Sequence, residues 1–79
     1  MKLKTESDFL ELKKSCAKRS KSKSHDYQIQ KFQSTLLSKN FRREEVMELT
    51  CKYYGITKPY CLNLFNSLPE ELTNRRNVS

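Results

Sequence analysis

The stretch CKYYGITKPYCLNLF, residues 51–65, holds the single glycine of the chain and one of its two prolines. On both sides of Gly55 the residues favour helix. Glycine just past a helix takes the left-handed backbone that a Cβ would disfavour, so a helix is expected to end at Tyr54. Thr57 can cap a following helix, with Lys58 and Pro59 in its first turn, where proline loses no needed hydrogen bond. Two helices joined this closely form either an ordinary packing corner or a helix-turn-helix. The second has a grammar set by its geometry. A small residue sits where the helices approach, glycine follows four residues later, and an aliphatic residue comes next. Two apolar residues then anchor the second helix. Cys51, Gly55, Ile56, Cys61 and Leu64 occupy these positions.

The remaining pattern is helical too. Phe9, Leu12 and Cys16 recur at i, i+3 and i+7 beside Leu10, after a start near Thr5–Asp8 rich in capping and acidic residues. This apolar stripe is thin, so the helix is expected to dock loosely or to serve self-association. A second helix is expected after Asp26 as N-cap, with Ile29, Phe32, Leu36 and Leu37 on one face, glutamines and lysines on the other, and Asn40 at its end. A third, over 42–54, places Val46, Leu49, Thr50 and Tyr53 along one side and Glu44 and Glu45 in the first turn. The fourth, about 57–67, offers Tyr60, Cys61, Leu64, Phe65 and Leu68. A last short helix near Pro69 would contain EELTNRR. No segment alternates as a strand does. The expected fold is therefore all-α: a small bundle of four to five helices containing a helix-turn-helix. It divides into a basic N-terminal helix and flexible linker (1–25), a helix-turn-helix domain (26–76) and a frayed tail (77–79).

With 79 residues the chain holds one domain at most, and its apolar content of 35% makes the core marginal, so dimerisation or a partner is expected to complete the fold. No run approaches the ~20 apolar residues of a membrane span. MKLKTESDFL has no apolar run behind its lysines, so no secretory signal is expected and a cytoplasmic location is. Cys16, Cys51 and Cys61 are odd in number and form no CxxC pair, which argues against a disulfide framework and for packing as small hydrophobes. With His25 they could supply four zinc ligands, but the spacings of 9, 26 and 10 residues match no compact zinc module. His25 is the sole histidine, and glycine-rich phosphate loops are absent, so neither an enzyme nor a cofactor or metal is expected.

Charge supplies the strongest bulk signal. Sixteen basic against nine acidic residues leave +7, and residues 1–23 hold eight of the basic and only three of the acidic ones. Such a surplus favours an acidic partner, most often nucleic acid. KRSKSKSH, 18–25, has no apolar residue and reads as a solvated linker or as an arm whose Lys18, Arg19, Lys21 and Lys23 contact phosphates. If 47–66 is a helix-turn-helix, its second helix enters the major groove of double-stranded DNA with Thr57, Lys58, Pro59, Leu62, Asn63 and Asn66 free to face it. Asparagine can bond adenine bidentately and leucine or proline can touch a thymine methyl, so A·T-rich sequence is favoured. Tyr60 is a packing residue or a phosphate contact. Arg42 and Arg43 are placed for the backbone, and Arg75 and Arg76 are weaker candidates. The competing reading is a small helical regulator or inhibitor that docks on a protein through Tyr60, Leu62 and Phe65. RNA is a third option, supported only by the basic arm.

Arg43, Glu45 and Val46 in RREEV, then Cys51, Tyr54, Tyr60 and Leu68 further on, with His25 and Leu37 upstream, give residues 25–68 a pattern that resembles the PapB-type regulators of bacterial fimbrial (adhesin) operons. The pattern departs from that family in the extra residues between Val46 and Cys51, in Cys61 where the family has Phe, and in Ser67 where it has Arg. The resemblance implies a small helical transcription regulator that binds A·T-rich DNA repeats as an oligomer, with contacts at Arg43 and around Tyr60.

Overall fold

A computed structural model describes residues 3–19, 24–68 and 72. The described residues form four helices and no strand: α1 (Glu6–Arg19), α2 (His25–Ser38), α3 (Arg43–Tyr54) and α4 (Lys58–Asn66). The short helix expected near Pro69 lies outside the described residues except for Leu72, as do the 77–79 tail, Arg75 and Arg76.

Local chemistry sets each boundary. At the start of α1, Thr5 Oγ1 accepts from Asp8 N–H at 3.3 Å while Asp8 Oδ2 accepts from Thr5 N–H at 3.2 Å and Lys4 N–H at 3.1 Å. This reciprocal box satisfies donors that have no partner inside the helix. These bonds hold the Asp8 carboxyl below its ordinary range, the Lys4 amide contributing most. The N-cap of α2 lies two residues before the expected Asp26. Ser24 is the N-cap, its hydroxyl accepting from Tyr27 N–H at 3.2 Å, and Asp26 lies in the first turn. α2 ends in a Schellman motif: Asn40, at φ 70°, donates to Leu37 O, and Phe41 donates back to Leu36 O. Arg42 is the N-cap of α3, where its guanidinium has no acceptor to offer the helix amides. Glu45 supplies half a capping box instead, accepting from Arg42 N–H at 3.0 Å.

The core gathers all three leading helices. Phe9, Leu12 and Cys16 of α1 are buried with Phe32 and Leu36 of α2 and Val46 of α3, and Leu37, Phe41, Leu49, Tyr53 and Tyr54 pack against them. α1 is thus more firmly docked than its thin stripe suggests, because aromatic neighbours widen the contact. Phe9 stacks on Tyr53 at 5.6 Å and meets Phe41 edge-on at 5.9 Å. Such pairs add about 0.5–1.5 kcal/mol each beyond area burial. Lys13 adds a polar tie: its Nζ donates to Tyr53 O at 2.7 Å, next to the C-terminus of α3, and lies 5.0 Å from the centre of the Tyr54 ring. A cation suits that end of a helix. The exposed Lys52–Glu6 pair, at 3.5 Å, contributes little.

Candidate functional site

Three residues, 55–57, join α3 to α4. Gly55 has φ 64° and ψ 37°, and its N–H donates to Cys51 O at 2.9 Å to close the last turn of α3. Thr57 is extended and its carbonyl accepts from Cys61 N–H at 2.9 Å, but its hydroxyl makes no capping bond, contrary to expectation. Of the two amides that a cap hydroxyl can reach, the second-position one is missing because it belongs to Pro59, and no bond forms to the third, of Tyr60.

α4 turns Cys61 and Leu64 inward, 0% and 8% exposed. Two glutamines of α2 hold it there, although the sequence pattern assigns the glutamines to the outer face. Gln33, fully buried, donates from Nε2 to Cys61 O and to Cys61 Sγ, both at 3.2 Å, and Gln30 donates to Leu64 O at 3.0 Å. Gln33 lies four residues after Ile29, within the apolar arc of α2, and that position is the signal that it faces inward. Gln33 Oε1 and the Tyr54 hydroxyl are buried with no hydrogen-bond partner among the described residues. Burial raises the Tyr54 hydroxyl above its ordinary pKa, and the neighbouring Cys16 adds to this. Burial also pushes the Cys61 thiol up to about 11, with Cys51 contributing, so it stays protonated at neutral pH. Among the described residues no group of three or more His, Cys, Asp or Glu is placed to hold a metal ion. No helix among them is long and apolar enough to cross a membrane.

The outward side of α4 separates into a strip and two edges. Thr57 is exposed at its start, and Pro59, Asn63 and Asn66, also exposed, recur along one face at helical spacing. One edge faces α3. There Lys58 and half-buried Leu62 share an open groove with Arg43, Glu44, Met47 and Glu48, and the Arg43 guanidinium lies 5.7 Å from the centre of the Phe65 ring. Leu62 is therefore a groove wall as well as a neighbour of the strip. The other edge faces α2, where the Tyr60 hydroxyl donates to Asp26 Oδ1. That bond raises the Tyr60 pKa. Nothing in the sequence pairs these residues, which lie 34 positions apart.

The remaining candidates lie elsewhere. Arg42 is exposed at the start of α3, and Lys18 is exposed near the end of α1. Arg19 closes α1, while Lys21 and Lys23 lie outside the described residues. Residues 42–66 carry four basic and three acidic side chains, so the positive surplus does not reside on α3 and α4. Compared with family models, curated proteins and solved structures, the chain matches none.

Proposed function

We propose that this chain is a DNA-binding transcription regulator that uses residues 47–66 as a helix-turn-helix, with α4 as the reading helix. One observation carries the reading. A short helix follows a glycine turn, is anchored by Cys61 and Leu64, and presents an exposed, uncharged Pro59–Asn63–Asn66 strip. Asparagine on that strip recognises adenine, which favours A·T-rich sites. Because α3 and α4 are nearly balanced in charge, most of the electrostatic attraction falls to the basic arm with Lys18, Arg19, Lys21 and Lys23. Arg42, Arg43 and Lys58 supply local contacts to the backbone. A small domain of this kind doubles its contact area by acting as a dimer or larger oligomer on repeated sites, as the likeness to PapB-type regulators implies.

The test is fluorescence anisotropy of the full chain on A·T-rich and G·C-rich duplexes across a salt series. The expected result is preference for the A·T-rich duplex, reduced in Asn63→Ala by about 1–3 kcal/mol. Log affinity should fall with log salt at about −0.9 per phosphate neutralised. Absence of binding at ~50 mM salt refutes the reading, since non-specific contacts alone register there.

The groove favours a second reading, a regulator that docks on a protein. Met47 and Leu62 line it between cations and carboxylates, and Glu44 and Glu48 would meet a DNA phosphate unfavourably. Under that reading Leu62→Ser abolishes partner binding and Lys58→Ala leaves it nearly unchanged.

A further inference from the structure

The two edges of the α4 strip differ in charge. On the α3 edge two cations, Arg43 and Lys58, share the groove with two carboxylates, Glu44 and Glu48, and balance them. On the α2 edge stands a carboxylate, Asp26, in the first turn of α2, where the helix dipole favours the anion. The side chain of Asp26 is partly exposed, so its field reaches solvent. The Tyr60 hydroxyl holds it against α4, and the same bond occupies the hydroxyl that a phosphate would otherwise receive.

We infer that Asp26 is a positioning residue for nucleic acid. Fixed by Tyr60, its unbalanced charge repels the phosphate backbone from the α2 edge of α4 and favours approach from the α3 edge, where Arg43 and Lys58 offset Glu44 and Glu48. The inference rests on the DNA-binding reading above. It assigns Tyr60 to the orientation of Asp26 instead of to phosphate contact.

Two substitutions separate charge from hydrogen bonding. Asp26→Asn keeps an amide oxygen to accept from Tyr60 and removes the charge. Tyr60→Phe removes the donor and keeps the charge. For one unscreened charge at the edge of a duplex, Asp26→Asn should tighten binding to an A·T-rich duplex about two- to fivefold at ~50 mM salt. The gain should fade by ~300 mM, as the screening length contracts. Hydroxyl-radical footprinting should show added protection of backbone sugars along one strand flank, a change that a purely structural role would not produce. Tyr60→Phe should give no tightening. Thermal unfolding checks that each variant is folded, and Asp26→Ser, which also lacks the carboxylate, replaces Asp26→Asn if that variant is not. Wild-type binding with unchanged or weaker binding by the charge-removed variant overturns this inference alone. Loss of wild-type binding itself at ~50 mM salt overturns the DNA reading and the inference with it.

Discussion

Replacing Gly55 by alanine isolates the backbone contribution of the α3–α4 turn. At φ 64° and ψ 37° Gly55 lies in the left-handed region. An L-residue there costs roughly 1–2 kcal/mol from contact between its Cβ and its own carbonyl. A side chain would add nothing to that, because a Cβ built at Gly55 meets no atom within 4 Å. Alanine also restricts the unfolded chain, which returns about 0.4–1 kcal/mol. The net expected loss for Gly55→Ala is therefore about 1 kcal/mol, or about 4–8 °C in Tm for a domain of this size. Gly55→Asn should lose less, since asparagine tolerates the left-handed region. Urea unfolding followed by circular dichroism measures this, with an unchanged m-value expected because the buried area is the same. A loss above about 3 kcal/mol would refute the reasoning by showing that the turn is closed against a side chain. A gain in stability would refute it from the other side, by showing that φ is not positive in solution.

Gln33→Met should leave urea stability within about 1 kcal/mol of wild type, despite removing a buried hydrogen-bonding group. The bonds to Cys61 are lost, but so is the unpartnered Oε1, and the two effects are of similar size. A loss of several kcal/mol would show that Oε1 has a partner in solution. Lys13→Met keeps the apolar stem and removes the bond to Tyr53 O and the cation at the α3 terminus. It should cost about 1–2 kcal/mol by the same assay, and no loss would mean that this bond does not form in water. Stability should also fall in alkali. Burial pushes the folded Cys61 thiol up to about 11 from an ordinary 9.0, and it raises Tyr54 as well. A raised folded pKa contributes fully below the unfolded value, so this contribution holds below about pH 9 and is lost as pH climbs through about 11. Equal urea midpoints at pH 8 and 10.5 would contradict that sign.

The four helices were legible in the sequence because each carries its own local signals. Phe9, Leu12 and Cys16, and Ile29, Phe32 and Leu36, keep helical spacing, and Asn40 and Gly55 mark two helix ends by the backbone they tolerate. The start of α2 was misplaced because Ser24 and Asp26 are both good caps, and only the bond from Tyr27 N–H to Ser24 distinguishes them. The depth at which α1 docks was also hidden. It depends on Tyr53 and Phe41, which reach Phe9 only after the chain folds back.

At the candidate site, local sequence signals suffice for the glycine turn, the inward Cys61 and Leu64, and the polar residues between them. Helical periodicity and glycine stereochemistry are local properties, readable within one or two turns. Packing between helices is what makes Gln30 and Gln33 brace α4, lets Leu62 line a groove with Met47, and brings Tyr60 to Asp26. Each of these joins residues from different helices. Their meeting depends on how the helices pack, and no local pattern encodes that.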